Sequence, residues 1–437
     1  MIWLIVAYIL LEFISSFSVV NSVLGQNALE TMDDGKPKSF NLYLVVPLLY
    51  EQDNLFDTYH RFQVFAETYD NVQVYFVTTE RERIEKPDQI STREILNQIG
   101  GEFPSTKIKF LHYGENNNVV SEQLNFALTH IREEVSDLAN SFVSFYNADS
   151  KISHRYIHVL SKTIGECLGQ KVVFQQSSLF LTNVPELVAD GKYLLAAFGV
   201  FQTSWTLRHE IPHYLFEKNI LRVKCLSGFH LVYCVTHGLT LSLEAYNDLG
   251  PFPVMKIGGE DLAYGFRVKS CGYSVIPVLD LENSETPNNA IALYTQLKQW
   301  FLATLGYLTF WRHTGKEGRI FQNVLLTIQG ILIHSVKWLI RGPFILFLLF
   351  KAIYYDRVVF FTLVYSMYVL ATFLPVVCIW NRLDNNLFPN VSRMALIKLV
   401  IVYAMVPVLR SFPALTALFL YIRILFGYNF IKQKTGV

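Results

Sequence analysis

Apolar and polar positions alternate differently in three parts of this chain. Ile2 to Leu24 is apolar except for Glu12 and a few Ser and Asn. It lacks a positive leading segment, and GQNALE after it offers no convincing small-residue cleavage site, so it reads as an anchor helix, with a signal peptide as the alternative. From Phe40 to about Tyr294 short apolar runs alternate with amphipathic stretches. FNLYLVVPLLY (Phe40–Tyr50) is continuous and apolar, as a strand buried on both faces must be. VQVYFVTT (Val72–Thr79), KIKFLHY (Lys107–Tyr113) and SFVSFYNADS (Ser141–Ser150) follow the same pattern. Between them Asp53–Glu67, Thr92–Ile99 and Val119–Val135 carry helical periodicity. Strands that alternate with helices predict an α/β fold, a mostly parallel sheet covered on both faces.

The last part is different again. RVVFFTLVYSMYVLATFLPVVCIW (Arg357–Trp380) has no internal charge and is long enough to cross a hydrocarbon core of ~30 Å. Met394–Tyr428 is a second long run, interrupted by Arg410, Pro413 and Arg423, and Phe321–Tyr355 a third, interrupted by Lys337, Arg341 and Pro343. Each interrupted run reads as one span plus an interfacial helix, or as two short spans. Lys432 and Lys434 favour a cytosolic C-terminus. With a cytosolic middle region that implies an even number of C-terminal spans, two or four.

Composition agrees with membrane segments. The 437 residues are 51% hydrophobic and 17% charged, where soluble chains are about a quarter charged. A net charge of +1 gives no basic bias toward nucleic acid. Five cysteines without a CxxC pair read as reduced thiols, hence a cytosolic middle region. There is no GxGxxG, P-loop or GxSxG, against a dinucleotide enzyme, an NTPase and an α/β-hydrolase.

Ligands of such sheets bind beyond the carboxyl ends of the strands. Polar clusters sit at three of those ends: Tyr50-Glu51, Thr79-Glu80 and Asn147-Ala148-Asp149. Later, MKIGGEDLAYGFRVKSCGY places Glu260 and Asp261 where a glycine loop turns into a helix. Carboxylates in a first turn are stabilised by free N–H groups and the helix dipole, by about 0.3–1 kcal/mol each. The same position suits a catalytic base on a rigid helix start. QLKQW (Gln296–Trp300) then brings an amide and an indole just before the apolar part. Transfer of a sugar from a nucleotide diphosphate needs a divalent cation on the leaving group, a base at the acceptor hydroxyl and a platform for the acceptor. Asp149 suits the first and Asp261 the second.

In this order the landmarks resemble glycosyltransferase family 2, the GT-A fold enzymes, many with C-terminal membrane helices. The likeness covers about Phe40 to Trp300. VVPLLYEQDNL matches the family's first strand and turn, YNADS its DxD-type motif and GGEDLAYGFRVKSCGY its acceptor-side ED motif. THGLTLSLEAYNDLGPFP matches its acceptor-loop segment, and QLKQW in part its QxxRW motif. The resemblance implies a GT-A (Rossmann-like) domain with transmembrane helices. It divides the chain into an anchor at 1–24, a linker at 25–39, the transferase domain at 40–300, an interfacial helix at 301–320 and membrane helices at 321–437. It implies Asp261 as base and Asp149 on Mg²⁺ or Mn²⁺. Glu51 and Thr79 would border the nucleoside, and Glu260, Gln296 and Trp300 the acceptor. The partners would be a nucleotide-sugar donor, a lipid-linked or glycan acceptor and the membrane, with inversion at the anomeric carbon and no nucleic acid.

The chain departs from the pattern at charged positions. Asn147 stands for the first acid of DxD, Val120 for a lysine and Gln299 for the arginine of QxxRW. Glutamine cannot replace the charged, bidentate grip of arginine on phosphate; Lys298 and Arg267 are the cations at hand to compensate. The altered motif favours single transfer over processive synthesis. The alternative in another class is a catalytically silent relative acting as membrane scaffold or regulatory partner. A transporter subunit is opposed by the small membrane part without an inverted repeat.

Simpler roles stand beside these. Asn-Ala-Asp-Ser is turn chemistry, and Trp300 suits a membrane interface as well as acceptor stacking. His230 and His237 read as core or acceptor-loop histidines. TSWTLRHEIPHYLF lacks the HExxH order of a zinc protease and reads as a helix ending before Pro212. Asn390-Val391-Ser392 is formally a glycosylation sequon.

Overall fold

In a computed structural model the described residues are 9–11, 13–23, 40–115, 120–220, 229–255, 257–314, 320–383 and 392–427. The linker at 25–39, Cys225, Asn390 and the lysines 432 and 434 lie outside them.

A seven-stranded sheet, ordered β3-β2-β1-β4-β6-β5-β7, forms the centre. Its strands are β1 Asn41–Pro47, β2 Val72–Thr79, β3 Ile108–Tyr113, β4 Ser141–Phe145, β5 Val172–Leu179, β6 Leu239–Ser242 and β7 Ser274–Asn283. β6 runs antiparallel to β4 and β5, and the other pairings are parallel. The mostly parallel α/β sheet expected from the sequence is therefore present, with one reversed strand inserted. β4 is shorter than its apolar run. It stops at Phe145, and residues 147–150 form a turn in which Asn147 N–H donates to Ser150 Oγ at 3.0 Å.

Both faces of the sheet are covered, which explains why its strands read as continuous apolar runs. Leu42, Leu44 and Val46 point into a core shared with Phe62, Phe65 and Leu96. The alternate residues Tyr43 and Val45 point into a second core with Leu124, Leu128 and Tyr264. The expected helices form as Leu55–Thr68, Thr92–Glu102 and Val120–Glu134. Ser91 and Glu94 close the second with a capping box.

A third core joins this layered unit to the apolar C-terminal helices. Phe198, Val200 and Phe201 of helix Tyr193–Trp205 lie with Val369, Phe373 and Tyr403 from the C-terminal helices and with Val19, Val20 and Val23 from the N-terminal helical segment. Among the described residues two helical stretches, Val358–Asn381 and Arg393–Leu425, are long and apolar enough to cross a membrane. Only 39% and 33% of their most apolar windows are buried, so neither is wrapped on all sides as a core helix would be.

Two expectations need correction. Residues 301–305 do not start a separate interfacial helix but complete helix Ala290–Leu305, and short 3-10 turns follow at Gly306–Leu308 and Phe310–His313. The helix near Pro212 does not end there. A π-helical stretch, Thr206–Glu210, runs directly into helix Ile211–Ile220. Proline is accepted because a π stretch already interrupts the regular hydrogen-bond ladder.

Gly265 fixes how close helix Glu260–Ser270 comes to the segment around Tyr233 and Cys234. A Cβ at Gly265 would collide with the Cys234 backbone nitrogen. Gly265→Ala is expected to cost about 1–3 kcal/mol, the usual penalty for overpacking, seen as a lower melting temperature of the purified protein. An unchanged melt would show that the helix can back away freely.

Candidate functional site

The carboxyl edge of the sheet is lined by loops that polar side chains hold in place. After β1 the chain turns at Tyr50 with a positive φ of 55°. The carboxylate of Glu82, 4% exposed, ties that turn to the loop after β2. It accepts from Tyr50 N–H, from Thr92 N–H at 2.7 Å and from Thr92 Oγ at 2.8 Å. Glu51 N–H in turn donates to Thr92 Oγ at 3.1 Å. Thr79 is buried at the end of β2, its hydroxyl accepting from Arg81 N–H at 3.4 Å. Because β2, β1 and β4 are neighbours, Thr79, Glu51 and Asp149 lie along one edge.

Asp149 is solvent-accessible in the turn after β4, though much of the protein surrounds it. Burial raises its carboxyl pKa above the ordinary aspartate value; His237 opposes this and Glu282 adds to it. Its loop is fastened through the Ala148 carbonyl, which accepts from Thr58 Oγ at 3.0 Å and Arg61 Nη2 at 2.6 Å.

Next along the edge lies a pair that sequence reasoning did not connect. Glu282, near the end of β7 and 1% exposed, is in a close ion pair with His237 Nε2. It also accepts from Lys151 N–H at 3.0 Å, Ser178 Oγ at 3.0 Å and Ser284 Oγ at 3.1 Å. His237 Nδ1 lies 3.2 Å from Ser150 Oγ, which joins the pair to the Asp149 turn. Burial works against both charges. Burial is the largest single influence on Glu282, but the His237 cation together with the hydrogen bonds from His237, Lys151 N–H and Ser178 outweighs it, and the pKa falls below the ordinary value. Glu282 and Asp149 outweigh it for His237, whose pKa stands above the ordinary one.

Beyond His237 opens a cavity of about 190 Å³ whose walls include Asp261, Trp300, Trp205, Tyr233, Glu210 and His237. Asp261 sits in the first turn of helix Glu260–Ser270, its Oδ1 accepting from Leu262 N–H at 2.8 Å. Gly259 delivers it there. With φ at 83° it takes a backbone form that other residues rarely adopt, and a Cβ on it would come within 2.9 Å of the Ala303 Cβ. Ala303 also lines the cavity, so this approach sets the spacing of the two walls. On a third side Trp205 Nε1 donates to Tyr233 Oη at 3.2 Å, and Tyr233 Oη donates to Glu210 at 2.7 Å.

The structure thus brings Asp261 and Trp300 into one cavity, with Gln296 and Trp300 on an adjoining recess. Asp149 stands outside the cavity, linked to it by His237. Glu260 is buried, while Glu51 and Thr79 remain at the far end of the edge. Gln299 lines neither opening. Arg267 cannot compensate for it, since its guanidinium donates to the backbone carbonyls of His313, Leu249 and Pro251. Sequence reasoning missed Glu82, Glu210, Tyr233 and Glu282. Each is an ordinary residue in its own segment, and only the fold brings it to the edge.

Among the described residues no group of three or more His, Cys, Asp or Glu side chains is arranged to hold a metal ion. Asp149 supplies one accessible carboxylate, and the Glu282 oxygens are already engaged.

No family model matches the chain, and no curated protein matches it. Among the solved structures that overlap with it are two that span most of its length. One is the mannosyltransferase PcManGT from Pyrobaculum calidifontis in complex with GDP-Man and Mn²⁺, at 12% identity and a TM-score of 0.44, covering 91% of this chain and 99% of that one. The other is TarS 1–349 of S. aureus, at 13% identity and a TM-score of 0.37, covering 84% and 90%. Both overlaps are loose.

The His237–Glu282 pair gives a pH signature. Glu282, lowered, contributes stability above its ordinary 4.5 and loses it as pH falls through the folded value. His237, raised, contributes fully below its ordinary 6.5 and loses it as pH rises through the folded value. Both contributions are complete between those two values. His237→Ala is expected to cost about 3–5 kcal/mol by leaving a buried charge without its partner. The melting difference from wild type should be largest inside that window and shrink on either side; a pH-independent difference would count against the pair.

Proposed function

We propose that this protein is a membrane-bound glycosyltransferase with a GT-A type domain. It transfers a sugar from a nucleotide-diphosphate donor to a hydroxyl of a lipid-linked or glycan acceptor. The observation that carries the reading is the meeting of Asp261, fixed on a helix start, with the aromatic walls of one cavity at the carboxyl edge of a mostly parallel sheet. Aromatic walls with a few placed polar groups are the usual make-up of a small-molecule site.

In this scheme the acceptor hydroxyl lies in the cavity beside Asp261. As its oxygen attacks the anomeric carbon, the hydroxyl proton passes to the Asp261 carboxylate and the bond to the diphosphate breaks, which inverts the configuration. Trp300 holds the acceptor from the wall, with Gln296 behind it. The donor lies along the edge past Asp149, with its nucleoside toward Glu51 and Thr79. One carboxylate suits Mg²⁺ or Mn²⁺ when the donor's phosphates supply most other ligands, as is common for Mg²⁺; the ion would neutralise the departing diphosphate. The apolar helices would keep the acceptor at the bilayer surface.

The test is release of nucleoside diphosphate by the detergent-purified protein from a panel of nucleotide sugars with Mg²⁺ or Mn²⁺. Wild type should turn over one donor, and Asp261→Asn should be slower by about 10²–10⁴-fold, the contribution of a positioned base. If neither protein consumes or binds any donor, a silent scaffold becomes the better reading.

A further inference from the structure

The cavity has one wall that the transfer chemistry above does not use. Arg410 lies where the long apolar stretch Arg393–Leu425 breaks between two helices. It is 5% exposed, and it lines both the cavity with Asp261 and the adjoining recess with Gln296. Its guanidinium centre lies 3.9 Å from the ring centroid of Trp338, 4.9 Å from Phe201 and 5.6 Å from Trp205. Trp338 Nε1 donates to the Arg410 carbonyl at 3.1 Å, fixing the backbone as well.

Stacking engages the face of a guanidinium and leaves its N–H edge free for an acceptor. Here Nε has no hydrogen-bond partner. Other charges sharpen the question. Arg208 and Arg341 act on Arg410 as like charges. The acids on the cavity wall are Glu210, which accepts from Tyr233, and Asp261, which accepts from Leu262 N–H, and among the described residues neither forms an ion pair with Arg410. A buried cation that feels two others, with an N–H buried and unpaired, is expensive unless an anion completes it.

The geometry points to Arg410 as the phosphate-binding group of this cavity, taking a phosphate or diphosphate ester on the free edge of its stacked guanidinium. This deepens the glycosyl-transfer reading and rests on it only for what carries the phosphate, a nucleotide donor or a lipid-linked acceptor. Gln202 lines the same two openings and offers a neutral donor beside it. The charge missing at Gln299 would then come from the C-terminal helices.

The probe is inorganic pyrophosphate, titrated by calorimetry into the full-length protein in detergent. Wild type should bind it, and Arg410→Gln should bind about ten- to hundredfold more weakly, as expected for lost charge-assisted hydrogen bonds. Arg410→Lys keeps the charge without the fork and should fall between. No binding by wild type, or equal binding by a folded Arg410→Gln, overturns the inference. Where the Gln variant does not fold, Arg410→Lys carries the test, and binding equal to wild type overturns it. UDP and GDP form one further arm and a short-chain prenyl monophosphate the other. A loss confined to nucleotides assigns the donor, a loss confined to the lipid assigns the acceptor, and loss of both assigns a shared phosphate subsite. Pyrophosphate binding requires no turnover. A protein that binds it through Arg410 but consumes no nucleotide sugar therefore keeps this inference and loses the transferase reading.

Discussion

Helix Tyr193–Trp205 is apolar on nearly every side, and a helix of that kind has to be enclosed. The sheet encloses one side and the C-terminal helices the other. Its few polar groups bind in both directions. Thr203 Oγ accepts from Phe180 N–H at 2.9 Å, just past β5, while Ser204 Oγ donates to the Thr372 carbonyl at 2.7 Å, inside an apolar helix. Thr206 Oγ continues the link to the Ser178 carbonyl at 3.1 Å. The layered domain and the apolar helices therefore share one core, and the cavity lies at their junction, with walls drawn from both.

That position explains the cost structure of the site. Glu282, Glu210 and Arg410 are all nearly enclosed, and burying charge is favourable only where partners are already in place. Glu282 has a full set of donors, so its geometry is settled before any ligand arrives. Gly259 and Gly265 act by a different means, letting backbones approach where side chains would hold them apart. The result is a set of walls whose spacing is determined by packing between elements distant in sequence.

Much of the frame was legible in the sequence. Buried parallel strands are continuous apolar runs, so β2 and β3 could be read almost to the residue, while β1 was read on to Tyr50 although it ends at Pro47. β4 was extended to Ser150, but Tyr146 makes the last bond to β1, its N–H donating to the Val45 carbonyl at 3.1 Å, and residues 147–150 turn away. β6 is four residues long, too short for a periodicity, and its reversed direction has no local signature. Asp261 and Trp300, which line one cavity, were conspicuous in the sequence because each lies in a recognisable local pattern. Glu282 and Arg410 were not, since one looks like the end of any strand and the other like an interruption in an apolar run. Their significance depends on long-range neighbours. The proline at 212 misled for a related reason: its usual effect on a helix was offset by an irregular turn that the sequence does not announce.

That irregular turn has a geometric meaning of its own. In regular helix, residues five apart point about 140° away from each other. Thr206–Glu210 is wound more widely, which brings Trp205 and Glu210 round to the same wall of the cavity. Wide turns of this sort arise as single-residue insertions and gather at functional sites. The segment therefore behaves as a phase shifter: the helix enters it keyed to the apolar partners of Tyr193–Trp205 and leaves it keyed to the pocket. Shortening it by one residue would leave both flanking helices intact and turn one of them by about 100° relative to the other, dismantling a wall of the cavity without removing any of its side chains.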